Sequence, residues 1–369
     1  MPRIPIVQTR RDAWVEIDLG CIEQNIKIIK NCVSPGTKIL AVVKADAYGH
    51  GSSMITPTLV ASGVDMLGVA SVDEGIELRK GGITLPIIVL GVTPEWAITS
   101  AVENDIIVSI FTREHVNACI YAYKKLKKKP CVHIKVDTGM HRIGISCDDA
   151  PAFIKEVASI EEIQLEGIFS HLACAENKQI TMKQNTLFQN VINKVENTDK
   201  YKIHLVNTAG MLAYKELHYD VVRAGIGIYG LVPGFKQVMS LKGRITHIKE
   251  LVPDCGISYE YSFITKKNAK IATIPIGYAD GVSRNLSNKI YGIVKGRKVK
   301  QVGNITMDQM MFDVTGINDI KTGDIITLLG AADGECIPIS DWAEKLNTIN
   351  YEIACRLRVR LPRVYTRSS

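Results

Sequence analysis

Residues 38–51 have the sequence KILAVVKADAYGHG, in which an apolar run ends at a lysine and gives way to a turn rich in glycine. Seven more apolar, β-rich runs follow it, separated by helical patterns. The runs are continuous rather than alternating, which is typical of parallel strands buried on both faces. Eight such strand–helix units predict an α/β fold, a (β/α)8 TIM barrel. The eight runs cover residues 38–43, 65–70, 86–90, 106–111, 131–137, 163–171, 203–207 and 225–230.

Helices are predicted between these runs from the spacing of apolar residues. One more helix, residues 19–33, precedes the barrel, and Asp18 is positioned to be its N-cap. The clearest of the other helical patterns cover residues 72–80, 94–104, 113–128 and 181–195.

The sequence changes in character near residue 238, where short strand-like runs and turn pairs such as Asp280-Gly281 replace the helical patterns. We therefore predict two domains. The barrel would comprise residues 12–238, and a mainly-β domain would comprise residues 239–369 together with 1–11. The predicted strands of the second domain cover residues 270–276, 289–294, 299–302, 310–314 and 325–329.

Composition indicates a globular protein, with 46% hydrophobic and 22% charged residues among 369. No apolar run is long enough to span a membrane, and residues 1–14 lack the apolar core of a signal peptide. The nine cysteines form no CxxC pair, so we expect reduced thiols in the cytoplasm and no metal site. The net charge of +7 includes a lysine-rich run at residues 124–129, which fits a solvated helix end better than a nucleic-acid site.

Chemically active residues follow several of the barrel runs, and in this fold the carboxyl ends of the strands carry the active site. Lys44 closes the first run, where partial burial would make it a nucleophilic amine; a salt-bridge role is the alternative. Residues 135–144, KVDTGMHRIG, suggest an anion-binding loop or an ion-pair network at the rim. His171 ends the sixth run and could equally be structural.

Two glycine-rich segments, NTAG at 207–210 and RAGIG at 223–227, border the seventh and eighth runs. Loops in these positions of TIM barrels often bind phosphate through backbone N–H groups. An amine, a phosphate loop and anion-binding side chains around one barrel mouth are the parts that pyridoxal 5′-phosphate (PLP) requires. The residues that supply them would be Lys44, Arg142, His171, Thr208 and Arg223.

Nine segments taken together resemble the alanine racemase family, in its order and at similar spacing, over residues 14–363. The family fold is an N-terminal barrel followed by a C-terminal β domain, in agreement with the pattern above. The segments are AVVKADAYGHG, KVDTGMHRIG, FSHLA, NTAG, RAGIGIYG, ISY, PIGYADG, TMDQ and TINYE.

The resemblance implies a homodimeric PLP enzyme that interconverts L- and D-alanine by a two-base mechanism and supplies D-alanine for peptidoglycan. Lys44 would carry PLP and act as one base. Tyr259, from the other subunit, would be the second base. Arg223 would face the pyridine nitrogen, and His171 would bond both Tyr259 and Arg223.

The resemblance also implies the binding residues. Arg142 and the backbone of Met307 would hold the substrate carboxylate, and Lys135 matches a lysine that is often carbamylated and then bonds Arg142. Tyr278 and Tyr351 would narrow the substrate entrance. The phosphate would lie among Tyr48, Thr208, Gly225, Ile226 and Tyr351.

Five positions depart from the family pattern. His141 and Glu260 stand where glycine is usual, and Ala224, Thr208 and Thr306 replace a common proline, serine and cysteine, respectively. Three alternatives stay open at this stage. A serine or broad-specificity racemase would share every motif, a PLP-dependent decarboxylase has a related architecture, and a non-catalytic PLP carrier resembles the barrel alone.

Overall fold

A computed structural model describes residues 11–368. Residues 1–10 and 369, which we assigned to the second domain, lie outside the described part of the chain. The described chain forms two compact units. One comprises Glu23–Ala47 and Ser52–Ile228, and it contains the barrel. The other comprises the chain up to Ile22, Tyr48–Gly51 and the chain from Tyr229 onward, and it contains most of the β-structure.

The elements up to residue 228 alternate as the sequence predicts. The strands are β1 (Ala13–Asp18), β2 (Lys38–Val42), β3 (Met66–Val69), β4 (Ile87–Val89), β5 (Ile106–Ile110), β6 (Cys131–Asp137), β7 (Ile145–Ser146), β8 (Gln164–Phe169), β9 (Lys202–His204) and β10 (Val221–Ala224). The helices are α1 (Leu19–Cys32), α2 (Lys44–Gly49), α3 (Ser52–Ala61), α4 (Val72–Lys80), α5 (Glu95–Glu103), α6 (Arg113–Leu126), α7 (Ala150–Ala158), α8 (Lys178–Ile192) and α9 (Thr208–Ala213), with 3-10 turns at Thr198–Lys200 and Lys215–Leu217.

Eight of these strands form a nearly closed parallel barrel, so the predicted fold is confirmed. Their order is β10-β2-β3-β4-β5-β6-β8-β9, and β7 pairs only with β6. Two backbone hydrogen bonds connect the last strand segment to the first: Asp220 N donates to Ile203 O at 3.1 Å, and Arg223 N donates to Val206 O at 3.2 Å. All eight carboxyl ends therefore open at one mouth.

The eighth strand is not where the sequence analysis placed it. Residues 225–230 form turns, and the strand is β10, whose Val221 and Ala224 pair with Lys38 and Ala41 of β2. The pairing ends at Ala224 because the chain then folds back, with the N–H of Ile228 bonding the carbonyl of Gly225 at 2.9 Å. The glycine-rich segment is thus a loop at the mouth instead of a strand.

The second unit is built on a mostly antiparallel sheet. Its further strands are β11 (Met239–Arg244), β12 (His247–Leu251), β13 (Gly256–Ile257), β14 (Phe263–Ile264), β15 (Ala269–Ile274), β16 (Tyr291–Val294), β17 (Arg297–Val302), β18 (Met310–Asp313), β19 (Ile325–Ala332), β20 (Glu335–Ile337) and β21 (Arg363–Thr366). Helices α10 (Ile339–Lys345) and α11 (Asn350–Arg356) follow the main strands, and 3-10 turns lie at Tyr259–Tyr261, Tyr278–Asp280 and Arg284–Leu286.

The strand β1 belongs to this sheet, where it pairs antiparallel with β11 and parallel with β21. The predicted start of the barrel domain at residue 12 is therefore too early, because the backbone hydrogen bonds of residues 13–18 are made in the β unit. Asp18 still acts as the N-cap of α1, and its Oδ1 accepts from the N–H of Gly20 at 2.8 Å. Within residues 11–368, no helix has the length and apolarity to cross a membrane.

Candidate active site

Lys44 stands at the start of α2, which is an unusual left-handed turn. Residues 45–48 all have positive φ, between 52° and 56°, although none is glycine. Each such residue is disfavoured by contact between its Cβ and the backbone. Glu74 connects the turn to the residue after β3, because its carboxylate accepts from the N–H of Ala45 at 2.7 Å and from that of Ala70 at 2.7 Å. A strained backbone held in this way fixes the point at which Lys44 leaves the strand.

Arg223 lies buried on β10 and is tightly bound. Its Nη2 donates to the carbonyl oxygens of Ser170 at 2.8 Å and Leu205 at 2.7 Å. Two imidazoles also accept from it, because Nδ1 of His171 bonds Nη2 at 2.9 Å and Nδ1 of His204 bonds Nη1 at 2.9 Å. The Nε–H has no acceptor in the described part of the chain, so a donor is left for a bound molecule.

The charge states of this group follow from burial. Burial, and after it the charge of Arg142, lowers the pKa of Arg223 to about 9, so the guanidinium is charged at neutral pH. Burial and the charge of Arg223 hold the pKa of His171 well below its ordinary value. Because arginine can only donate, Nδ1 of His171 accepts and the ring proton is on Nε2. His171 is therefore a neutral imidazole that offers an N–H.

Lys135 is a buried amine on β6. Its Nζ donates to the carbonyl of Val136 at 2.6 Å and lies 5.6 Å from the centre of the Phe169 ring. Burial lowers the pKa of Lys135 to about 7, and the charge of Arg223 is the second-largest cause of this shift. A substantial fraction of Lys135 is therefore the neutral, nucleophilic amine at physiological pH.

The loop that carries Arg142 is folded around one carboxylate. Oδ1 of Asp137 accepts from the N–H groups of Gly139 at 3.0 Å, Met140 at 3.1 Å and His141 at 3.0 Å. His141 has φ of 53°, a conformation that favours glycine, and its Nδ1 lies 3.2 Å from Oδ2 of Asp137. Arg142 is exposed and makes no hydrogen bond or ion pair with residues 11–368, so it is free to bind a carboxylate.

Thr208, Gly225 and Ile226 form a buried polar loop at the same mouth. The hydroxyl of Thr208 accepts from the N–H of Gly225 at 3.0 Å. Within residues 11–368, the N–H groups of Thr208 and Ile226 have no acceptor. Buried donors without partners are costly, and they fit a phosphate that would accept from them.

Three tyrosines cluster in the β unit. The ring of Tyr48 lies 4.8 Å from that of Tyr229 and 5.8 Å from that of Tyr351. Burial raises the pKa of Tyr48, and the phenol of Tyr351 contributes to the rise. Tyr48 is therefore a neutral phenol that can donate its proton to an anion.

Tyr259 projects from a strained turn of the β unit, with its side chain 69% exposed. Its neighbours Ser258, Glu260 and Tyr261 have φ of 66°, 63° and 47°. Asn304 stabilises the turn by donating from Nδ2 to the carbonyl of Tyr259 at 2.9 Å. The phenol itself makes no hydrogen bond with the described residues, so it can act on another molecule.

Glu260 has a φ of 63°, a conformation that favours glycine. Its carboxylate is directed to Arg284, with Oε1 at 3.2 Å from Nη2, and to Nδ2 of Asn304 at 3.3 Å. Glu260 thus stabilises its own turn through a side-chain interaction that glycine lacks.

Met307 and Tyr278 lie on two segments of the β unit that contact each other closely. The N–H of Tyr278 bonds Thr306 O at 3.0 Å, and that of Ala279 bonds Met307 O at 3.0 Å. A side chain at Gly277 would meet Thr306 O at 2.2 Å, so only glycine permits this approach. The N–H of Met307 has no acceptor within residues 11–368 and is available to a ligand.

The sequence-predicted residues therefore fall into two groups, each described within its own unit. The barrel mouth carries Lys44, Lys135, Arg142, His171, Thr208, Arg223, Gly225 and Ile226. The β unit carries Tyr48, Tyr259, Tyr278, Met307 and Tyr351.

Four residues that support the barrel group were not predicted from the sequence: Glu74, His133, Phe169 and His204. Two of them left a signal, because a histidine inside an otherwise apolar strand run occurs at both 133 and 204. Glu74 and Phe169 gave none, since an acid in the first turn of a helix and an aromatic in a strand are ordinary.

Comparisons with known proteins identify the family. The family model "Alanine racemase, N-terminal domain" matches residues 17–233, and "Alanine racemase, C-terminal domain" matches residues 238–365. The chain belongs to the alanine racemase family. "Alanine racemase 1" of Oceanobacillus iheyensis is 40% identical over 97% of this chain and 99% of its own length.

Solved alanine racemases share the fold. The enzyme of Clostridium difficile 630 superposes with a TM-score of 0.92 at 37% identity, covering 98% of this chain and 97% of its own. The alanine racemase of Bartonella henselae, described with covalently bound pyridoxal phosphate, superposes with a TM-score of 0.86 at 30% identity, covering 96% and 99% of the two chains. Family membership makes this chain an isomerase of the racemase type.

Proposed function

We propose that this protein is a PLP-dependent racemase that interconverts L- and D-alanine. The observation that carries the proposal is the bonding of Arg223, a buried, charged arginine whose Nε–H is left without an acceptor in the described chain. It lies at the barrel mouth beside His171, and we place the pyridine nitrogen of PLP against it. Arg223 keeps its protons at neutral pH, so it would donate a hydrogen bond without transferring a proton to that nitrogen.

The residues at the mouth fit PLP. Lys44 supplies the amine for a covalent link, and the partnerless N–H groups of Thr208 and Ile226, next to Gly225, suit its phosphate. We assign Tyr48 and Tyr351 of the β unit to the same phosphate set. When bound, PLP withdraws electrons from the substrate Cα and so makes its proton removable.

Two bases are needed because a proton must leave one face of Cα and another must arrive on the opposite face. We assign Lys44 to one face and Tyr259 to the other. The neutral His171 has its proton on Nε2, so it would donate to the phenol oxygen of Tyr259 and stabilise its ionised form. Tyr259 is 69% exposed within its own chain, which supports a homodimer in which each copy provides this phenol to its partner.

The substrate carboxylate would bind Arg142 and the N–H of Met307. Lys135 is suited to carbamylation, because its pKa of about 7 leaves much of the amine neutral. That nitrogen attacks CO2, an N–C bond forms and one amine proton leaves to solvent, so an anion is created that can pair with Arg142. Tyr278 and Tyr351 would restrict the entrance to small side chains.

We assign PLP binding to the barrel domain and Tyr259 to the β domain. The product D-alanine would serve peptidoglycan synthesis in the cytoplasm, a location supported by nine cysteines that are all free thiols. A serine or broad-specificity racemase is the second candidate, because a single hydroxyl is hard to exclude from a small pocket.

Absorbance and isotope exchange test the proposal. The purified protein should show a visible PLP band that is lost in Lys44→Ala and kept in Lys38→Ala, at the other end of β2. Incubation with L-alanine in D2O should give D-alanine and deuterium at Cα, faster than with L-serine or L-lysine. A missing band, or CO2 release from carboxyl-labelled alanine without racemisation, contradicts the proposal.

A further inference from the structure

Two histidines lie inside the barrel behind Arg223, and the proposed function does not use them. His133 on β6 and His204 on β9 are both fully buried. Nδ1 of His133 lies 2.9 Å from Nε2 of His204, and Nδ1 of His204 lies 2.9 Å from Nη1 of Arg223. The three side chains thus form a continuous buried hydrogen-bonded chain.

Every proton in this chain has a determined position. The guanidinium of Arg223 can only donate, so Nδ1 of His204 accepts and its proton is on Nε2. That N–H donates to Nδ1 of His133, whose own proton must then be on Nε2. Both imidazoles are neutral, since burial lowers the pKa of His133 to about 3 and holds that of His204 well below its ordinary value.

The chain ends at a polar atom without a partner. Nε2 of His133 is buried and has no hydrogen bond within residues 11–368. A buried N–H without an acceptor destabilises a fold, and an apolar side chain would avoid that cost. The stability of the barrel therefore does not explain a histidine here.

Packing keeps both rings in place. The ring of Phe169 stacks on His204 with centroids 4.7 Å apart and an interplanar angle of 1°. A side chain at Gly167 would lie 2.6 Å from Cε1 of His133, so the glycine leaves the room that this ring occupies.

We propose that His133 is a positioning residue for racemisation, acting through His204 on Arg223. Arg223 fixes the tautomer of His204, and His133, by accepting from Nε2–H, fixes the orientation of that ring. Without that acceptor the ring of His204 keeps only one of its two hydrogen bonds, so it can turn and shift the guanidinium of Arg223 with it. This inference rests on the proposed function.

The test compares His133→Leu, which removes the acceptor, with His133→Asn, whose Oδ1 can replace Nδ1. Proton–nitrogen NMR of 15N-histidine-labelled holoenzyme reports the Nε2–H group of His204, assigned with His204→Gln. We expect a hydrogen-bonded, downfield Nε2–H proton signal in wild type and His133→Asn, and its loss or upfield shift in His133→Leu. The number of half-transaminations per racemisation should rise at least fivefold in His133→Leu and return to within twofold of wild type in His133→Asn, with kcat affected more than KM.

The proposal is overturned if folded His133→Leu keeps the wild-type product partition and kcat, or if His133→Asn behaves like His133→Leu. If His133→Leu does not fold, His133→Phe keeps a ring without the acceptor and should raise the same partition; an unchanged partition in that variant would overturn the proposal. Failure of the proposed function is distinguishable, because an inactive wild-type protein still reports the hydrogen bond of the His204 Nε2–H group and its dependence on residue 133.

Discussion

Nη2 of Arg223 donates to Nδ1 of His171 at 2.9 Å, which leaves the proton of that imidazole on Nε2. This one bond therefore couples Arg223, which is proposed to face the cofactor ring, to His171, which is proposed to orient the second base. Arg223 lies on β10 and His171 follows the end of β8, two strands that are separated in the barrel by β9.

Replacing Arg223 by Glu should change what the enzyme makes as well as how fast it works. A carboxylic acid can give a proton to the pyridine nitrogen, which arginine does not, and a longer-lived carbanion is then protonated at the wrong carbon. We expect half-transamination per turnover to rise at least tenfold, measured by pyruvate formation from alanine. Arg223→Lys keeps the charge and is the control; an unchanged product ratio in Arg223→Glu would count against this role.

Tyr259→Phe should remove proton transfer on one face only. General acid–base groups contribute roughly 10²- to 10⁴-fold, so racemisation should fall by about that factor. Deuterium exchange in D2O should survive with one alanine enantiomer and be lost with the other. Tyr261 is the matched control, since it is also 69% exposed and lies in the same turn. Equal losses in Tyr259→Phe and Tyr261→Phe would refute the assignment.

Lys135 should make stability depend on pH. Its folded-state pKa is lowered from 10.5 to about 7, so the unfolded chain binds the extra proton between these values and stability should rise with pH there. The free energy of unfolding should rise by at most about 1.4 kcal/mol per pH unit. Below pH 7 the cost of burying the charged amine is fully present. Urea unfolding in CO2-free buffer should show wild type gaining up to roughly 2 kcal/mol over Lys135→Met between pH 7 and 8.5. Parallel pH curves for the two proteins would show that Lys135 keeps an ordinary pKa.

Among the acidic residues of the β unit, Asp280 should be the one whose replacement lowers the free energy of unfolding most. Its side chain is 0% exposed, and Arg11 binds both of its oxygens, at 2.5 and 2.6 Å. Removing one partner of a buried pair leaves an uncompensated charge, so Asp280→Asn should lower the free energy of unfolding by about 3–5 kcal/mol.

The control for that prediction is Asp308→Asn. Asp308 is 54% exposed and pairs with Arg360 at 2.7 Å, and exposed pairs contribute about 0–1 kcal/mol. Similar destabilisation in the two variants, by urea unfolding, would show that burial does not decide the strength of the Asp280 cluster.

Much of the barrel was predictable because its strands and helices are local patterns. The predicted helix at residues 72–80 matches α4 residue for residue, and the strand at 131–137 matches β6. The eighth strand was misplaced because residues 225–230 are as apolar as a strand, and only pairing with β2 shows that the chain has already turned. The strand β1 was assigned to the wrong domain because its partners, β11 and β21, are distant in sequence.

The sequence by itself determined the barrel, the change to β-structure near residue 238 and the identity of the reactive side chains, since each depends on short-range periodicity or on residue type. Only the tertiary structure decided which groups act on each other. Hydrogen-bond direction, proton position and burial depend on atoms from distant strands, as where β6, β9 and β10 bring His133, His204 and Arg223 together. A linear pattern records which residues are present, whereas the pKa of Lys135 and the tautomer of His171 follow from what surrounds them in space.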